Sequence, residues 1–309
     1  MVGLQVLLGM KMGRFRAVLL SALLLSIGYQ AYQICPYTPL AGVQVKDAIG
    51  RDNDVVVRIL TANVLMDNRD AESYLSVLAD ADPDIILTTE TDDWWAEQLK
   101  VLDRLYPYKV TYPLENTYGM ILHSRFPLIE PSVQFLVEPM VPSIHTGMRL
   151  PGGDRLQLIG LHPRPPGPTE NEESTQRDAE LIIAGRSVKR SDRPVIVIGD
   201  LNDVAWSHTT SLFQEISGLL DPRIGRGMFN SYHADYLFIR FPLDHIFHSE
   251  HFKLIEMRRL PHIGSDHFPI YAALSYHPRK DAAQQPDSPD PDEQEEADET
   301  VEEAFEKKH

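Results

Sequence analysis

The chain has 309 residues, enough for one large domain, and 43% of them are apolar, so a sizeable core can form. Its net charge of −16 is localised: residues 281–309 hold twelve acids against Lys307 and Lys308, a balance of −10, which leaves −6 on residues 1–280. That mildly acidic body excludes the basic footprint of a tight duplex binder, and a single cysteine, Cys35, excludes intrachain disulfides and a thiolate metal site. A nuclease stays open, because bound cations can supply the positive charge that the body lacks.

Lys11, Arg14 and Arg16 precede an apolar run from Ala17 to Tyr29 that fades through Gln30, Tyr32 and Gln33 to Cys35. Extended to Cys35, the run reaches the ~20 residues that a bilayer requires. No small-x-small cleavage site follows, and Tyr29 and Tyr32 suit an interfacial belt. Residues 1–35 therefore read as an uncleaved membrane anchor, with a cleaved signal peptide and a buried helix as alternatives. The preceding basic residues keep the N-terminus inside and place the bulk of the chain outside the cytoplasm, on the periplasmic or extracellular side. Val2–Met10 is a further apolar stretch that bears on this orientation. Residues 36–53, broken by Pro36, Pro39, Gly42 and Gly50, read as a linker. Residues 54–277 are globular in character. Residues 278–309, rich in Pro, Gln, Asp and Glu, read as a disordered acidic tail that cannot offset its ordering entropy by burial.

Within the globular stretch, β-branched and aromatic runs with Pro or Gly punctuation predict strands at Val55–Ala62, Asp84–Thr88, Gly119–His123, Leu156–Leu161, Val195–Ile198, Leu243–Phe247 and Phe268–Leu274. Longer amphipathic stretches predict helices at Ala71–Ala79, Asp92–Leu105, Glu172–Val188 and Ser207–Ser217. Interleaving of the two types argues for an α/β or α+β domain with buried sheets.

The ends of the apolar runs carry the chemistry. The first delivers Asn63, the second Glu90, the fourth His162 and the fifth Asp200, with Asn202 two residues on. Asp244 opens the sixth, and the pair Asp266–His267 opens the last. Taken singly, an acid after a strand caps a helix or starts a turn more often than not. Acids, amides and imidazoles at six run ends are harder to read as turns, since ligand clefts in sheet proteins form at strand ends.

These segments resemble the endonuclease/exonuclease/phosphatase superfamily, which contains deoxyribonuclease I, abasic-site endonucleases, neutral sphingomyelinases and inositol-phosphate phosphatases. The carriers are Leu60-Thr-Ala-Asn63-Val, Pro83-Asp-Ile-Ile-Leu-Thr-Thr-Glu90, Tyr118 to Leu128, Leu161-His162-Pro, Gly199-Asp200-Leu-Asn202, Leu243-Asp244-His-Ile-Phe and Gly264-Ser-Asp266-His267-Phe-Pro. Each motif is short; their order and spacing over Val55–Leu274 are specific. Pro36-Tyr-Thr-Pro-Leu40, just after the apolar segment, resembles a bacterial membrane-anchored branch. The resemblance implies a deoxyribonuclease I-like four-layer sandwich, two face-to-face mixed β-sheets flanked by helices, with the site at one edge.

It also implies a metal-dependent phosphodiesterase, nuclease or phosphatase. Glu90 and Asp266, helped by Asn63, would hold Mg²⁺, with Mn²⁺ or another divalent cation as alternatives. Asp200 would direct or take the proton of the attacking water, Asn202 would hold a phosphate oxygen or that water, and Asn63 would contact the phosphate. His267, oriented by Asp244, would act as base or stabilise the developing charge, and His162 would be the acid or a phosphate donor. Which histidine is acid and which base stays open. His162 is followed by Pro-Arg-Pro-Pro, a departure from the nucleases; Arg164 is either a phosphate clamp or an ordinary loop arginine. Asp67 and Asp70 are candidate second-metal ligands or solvated loop acids, and Trp94 and Trp95 form a substrate wall or pack in a core. The expected partners are a phosphate-ester substrate (nucleic acid, phospholipid or sugar phosphate) and a membrane, with no obligate protein partner. A non-catalytic scaffold on the same fold is the competing reading, because fold alone does not establish activity.

Overall fold

The computed structural model describes residues 14–48, 55–165, 174–279, 281 and 288–306. Helix α1 (Arg14–Ile34) is 21 residues long and is continued by a short 3₁₀ turn, Cys35–Tyr37. At 1.5 Å per residue it is about 30 Å long, the thickness of a bilayer's hydrocarbon core. It is apolar enough to cross a membrane and its apolar window is 0% buried against the body. Lys11, Val2–Met10 and residues 49–53 of the expected linker lie outside the described residues.

Eleven strands follow among the described residues: β1 (Val55–Asn63), β2 (Ile85–Thr89), β3 (Tyr108–Tyr112), β4 (Met120–Ser124), β5 (Leu128–Gln134), β6 (Ser143–Arg149), β7 (Arg155–Leu161), β8 (Val195–Asp200), β9 (Asp244–His248), β10 (Phe252–Arg259) and β11 (Ile270–Tyr276). One six-stranded sheet has the order β10-β11-β1-β2-β4-β3, the other the order β5-β6-β7-β8-β9. Both are mixed: β1–β2 and β7–β8 run parallel and the other pairs antiparallel. The body helices are α2 (Ala71–Ala81), α3 (Asp93–Gln98), α4 (Thr175–Lys189) and α5 (His208–Ser217), and α6 (Pro291–Glu306) follows the last strand.

The central strands are apolar on both faces because each face meets another layer. Ile59 of β1 and Leu87 of β2 join Leu158, Ile196 and Ile246 of the other sheet in the inter-sheet core. On the outer face of the first sheet, Leu60 and Ile86 pack with Tyr74 and Leu78 of α2 and Trp95 of α3. On the outer face of the second, Ile159 and Val197 pack with Leu181 of α4 and Phe213 of α5. Helix, sheet, sheet and helix form four layers, the deoxyribonuclease I-like sandwich.

Four strands escape the sequence reading, each for a local reason. β3 is an edge strand with half-exposed residues and no apolar run. β5, also at an edge, contains Pro131 and a register shift between Ile129 and Ser132. β6 is buried but written in polar residues, Ser143, His145 and Thr146 among them. β10 breaks its alternation at a shift between Leu254 and Glu256. The expected helix Asp92–Leu105 is a six-residue α-helix that passes into a 3₁₀ turn, Leu99–Arg104, with Asp92 as its N-cap.

Within the stretch expected to be a disordered acidic tail, Pro291–Glu306 form α6, while residues 280, 282–287 and 307–309 lie outside the described residues. Asp290 and Glu293 close a reciprocal capping box, with Glu293 N donating to Asp290 Oδ1 at 2.9 Å and Asp290 N to Glu293 Oε2 at 2.7 Å. Ala297, Val301 and Ala304 then make a narrow apolar stripe on α6 that packs against Ile182 and Ala179 of α4. The composition average hides this stripe, since three small apolar residues at helical spacing suffice to dock an otherwise acidic helix.

Candidate active site

The strand ends meet at one edge of the sandwich. β1 and β2 run parallel and end together, with Asn63 paired to Thr89, the residue before Glu90. Across the cleft, β8 and β9 run antiparallel with Asp200 opposite Asp244. Gly199 brings β8 to that point with φ +142°, and a Cβ there would sit 1.9 Å from the Leu161 carbonyl oxygen, so only glycine fits. Glu90 and Asn202 are both held in left-handed backbone, φ 57° and 51°.

Asp200 is the hub. It is buried, and its Oδ2 accepts from Asn63 Nδ2 at 3.1 Å, so one hydrogen bond joins the two sheets. The same oxygen lies 3.8 Å from His162 Nε2 and 3.6 Å from His267 Nε2. Its Oδ1 accepts from the Asn202 N–H at 2.9 Å. Behind His267, Nδ1 donates to Asp244 Oδ2 at 2.8 Å, which fixes the tautomer that turns Nε2 toward Asp200. Burial alone would lower the His267 pKa; the carboxylates of Asp200, Asp244 and Asp266 outweigh it and raise it to about 10. His162 is equally buried, and its Nδ1 has no hydrogen-bond partner among the described residues.

Glu90, His162, Asp200, Asn202, Asp266 and His267 line one cavity of about 360 Å³, with Tyr118 and Tyr232 as walls. Glu90 and Asp266 are half-buried, and neither forms an ion pair with a lysine or arginine among the described residues. Two cation-free carboxylates facing one polar cavity suit a hard divalent ion, which takes oxygen ligands and keeps several waters. Asp200, Asp244 and His267 also place ligand-type atoms within 4.8 Å of one another. In that trio Asp244 Oδ2 is engaged by the imidazole and lies behind it, so we read the trio as a hydrogen-bonded relay.

Asn63 and Arg164 do not line the cavity. Asn63 turns its amide nitrogen to Glu90 Oε1, 2.8 Å, and to Asp200, while its oxygen accepts from the Leu65 N–H at 2.9 Å. Asn63 is thus tied to both carboxylates and is not itself among the residues that line the cavity. Arg164 is paired with Glu138 at 3.3 Å and does not line the cavity. Asn202 does line it, although its Nδ2 donates to the Pro163 carbonyl at 2.9 Å. Asp70 caps α2 through the Ser73 N–H, 3.0 Å, and Trp95 is fully buried against Tyr74.

Several supporting residues carry no signal in spacing. Ser265 Oγ donates to the Asn63 carbonyl at 2.8 Å and accepts from the His267 N–H at 3.0 Å, tying the last motif to the first. Ser231 Oγ accepts from the Asp244 N–H at 3.1 Å. Arg177 of α4 donates to the Asn202 carbonyl at 2.9 Å. Arg223, fully buried, binds both oxygens of Asp221, donates to the Asp244 carbonyl at 3.3 Å and meets His245 Nδ1 at 2.5 Å. Tyr232 packs on His267 with ring centroids 4.9 Å apart, and Tyr118 on His162 at 5.8 Å.

A four-layer sandwich with this edge cluster defines a class of protein, and sequence comparison agrees. The model of the endonuclease/exonuclease/phosphatase family matches residues 60–267, and the chain belongs to that family. No curated protein sequence matches the chain. Solved structures with a similar fold include a humanized D. rerio TDP2, at 17% identity and TM-score 0.60, covering 71% of this chain and 99% of that one. An endonuclease/exonuclease/phosphatase family protein from Bacteroides thetaiotaomicron is 16% identical with TM-score 0.57, covering 72% and 96%. The human Nocturnin catalytic domain is 18% identical with TM-score 0.55, covering 73% and 96%.

Proposed function

We propose that this chain is a divalent-metal-dependent phosphoesterase, tethered by α1 to a membrane with its domain outside the cytoplasm, that hydrolyses a phosphate ester by in-line attack of an activated water. The observation that carries this reading is the single cavity into which Glu90 and Asp266 face, with Asp200 set between two imidazoles. Glu90 and Asp266 would hold Mg²⁺ or Mn²⁺, which when bound supplies Lewis-acid neutralisation of a phosphate oxygen.

The chain's own groups do the rest. Asp200, buried and already accepting from Asn63 and Asn202, directs the water and takes its proton. His267 donates from Nε2 to a phosphoryl oxygen, and Asp244 keeps its ring oriented and stabilises its charged form. His162, on the other side of Asp200, is the second imidazole donor; as the water oxygen bonds phosphorus and the ester P–O bond breaks, one of the two imidazoles protonates the leaving oxygen. Tyr118 and Tyr232 hold the two rings in place by packing. A non-catalytic scaffold has no use for two imidazoles converging on one buried carboxylate.

A D. rerio TDP2 structure with a similar fold (18% identity, TM-score 0.60) holds a single-strand DNA product, which keeps a nucleic-acid diester among the candidate substrates. A membrane tether supports a lipid headgroup instead. The test is a Mg²⁺-supplemented panel of plasmid DNA, single-stranded RNA, phospholipid and sugar phosphates with the detergent-purified full chain. One preferred class, lost in Glu90→Ala, is expected; inactivity on every member would return the scaffold reading.

A further inference from the structure

Between β8 and β9 the chain exposes four large apolar residues in a row. Tyr236, Leu237, Phe238 and Ile239 are 55%, 70%, 92% and 60% exposed. No other stretch of the folded body does this among the described residues; its remaining exposed apolar side chains are scattered. Contiguous apolar surface of this kind marks an interaction site.

The exposure is built in. Tyr232 and Phe241 exchange backbone hydrogen bonds across the base of the loop. Arg240 Nε donates to the Tyr236 carbonyl at 2.5 Å and its Nη2 to the Ala234 carbonyl at 3.1 Å, which closes the tip. Ala234 N donates to the Asp266 carbonyl at 2.6 Å, so the loop is seated on the rim of the cavity.

Charge and connectivity name the occupant. Arg240 and Arg259 both stack on Phe268, at 5.0 and 4.6 Å, and neither pairs with a carboxylate among the described residues. In a body of net negative charge, two neighbouring guanidiniums without acids suit an anionic surface. The one acid of the loop, Asp235, lies beside His233 and His262, at 3.8 and 3.6 Å. The helix long enough to span a bilayer ends on the same edge. Tyr37, three residues past α1, donates through its hydroxyl to the Ala205 carbonyl, five residues after Asp200. The apolar loop ends at Phe241, three residues before Asp244, the register partner of Asp200.

We propose that the loop Tyr236–Phe241, flanked by Arg240 and Arg259, docks the cavity edge onto an anionic lipid bilayer, its apolar side chains in the acyl boundary and its guanidiniums at the headgroups. This rests on the reading of α1 as a membrane anchor. Apolar tips then anchor by burial and arginines by attraction to anionic lipid.

The test uses the full chain in phosphatidylglycerol-containing vesicles, with Cys35→Ser and one environment-sensitive NBD label at Phe238→Cys or, as a control on the opposite edge, at Leu105→Cys. Flotation of the chain with the vesicles reports the anchor. The expected result is a blue-shifted NBD signal at position 238, quenched by doxyl lipids, with a water-like signal at 105. Arg240→Gln with Arg259→Gln lowers the docked-to-undocked ratio by about twenty-five-fold, at roughly a factor of five per arginine. A floating chain whose label at 238 stays water-like overturns the docking surface and leaves the anchor standing. A chain that does not float overturns both.

Discussion

Asn63 Nδ2 lies 2.8 Å from Glu90 and 3.1 Å from Asp200, so one amide at the end of β1 spans the gap between the two sheets. The two carboxylates it touches serve different purposes in the proposed reaction, one facing the cation and one facing the water. The amide donates to both of them, and its oxygen accepts from the Leu65 N–H.

Replacing that amide by the isosteric acid is the sharpest perturbation. Asn63→Asp puts a third carboxylate between two others and removes both donated hydrogen bonds. Steady-state kinetics are expected to show kcat lowered by about 10²–10³-fold, the range for loss of a preorganised active-site donor. A variant with kcat within a factor of two of the parent would remove Asn63 from the account.

Asp244→Asn tests the relay. The amide preserves shape, but it no longer stabilises a charged imidazole, and it can hold His267 in the wrong tautomer. Activity is expected to fall on the order of 10³–10⁴-fold, as for other carboxylate-oriented histidines, with the fold unchanged by circular dichroism.

Arg223 and Asp221 form a fully buried pair behind β9, and Arg223 also reaches the main chain of Asp244. Removing one partner leaves the other charge uncompensated. Arg223→Ala is expected to cost about 3–5 kcal/mol in denaturant unfolding of the chain.

Nothing in the sequence pattern announced this pair. Asp221-Pro-Arg223 belongs to no apolar run, and only the fold shows that Arg223 reaches the main chain of β9 at Asp244. By contrast, Asn63, Glu90, His162, Asp200, Asp244 and His267 were legible because each follows or opens a buried strand, and strand ends converge in a sandwich. β6 was illegible for the opposite reason: Ser143, His145 and Thr146 are buried and polar, so no apolar run marks it. Helix α6 was hidden by averaging, since Ala297 and Ala304 dock it while acids dominate its composition. For Arg164 the sequence leaves open a phosphate clamp or a loop arginine, because its partner Glu138 sits in the connection between β5 and β6, which no spacing ties to it.

Buried ionisable groups set the pH response of stability. Burial holds His123, His145 and His248 at about 4. Their folded values lie below the unfolded value near 6.5, so the unfolded chain gains protons first on acidification. Their contribution is complete above pH 6.5 and is lost as the pH falls toward 4, on the order of several kcal/mol in all. Glu180 has the opposite sign: burial, with Glu138 nearby, raises it to about 8, so its penalty grows as the pH rises from 4.5 to 8. Thermal unfolding should therefore show Glu180→Gln raising the melting temperature at pH 8 and leaving it nearly unchanged at pH 4.5.

The most direct test is hydrolysis of bis-p-nitrophenyl phosphate by the EDTA-stripped chain while Mg²⁺ or Mn²⁺ is titrated back. A saturable return of activity is expected in the parent, with none in Glu90→Ala or Asp200→Ala. A rate that persists in EDTA, or that survives in either variant, would contradict a cation-assisted reaction in this cavity.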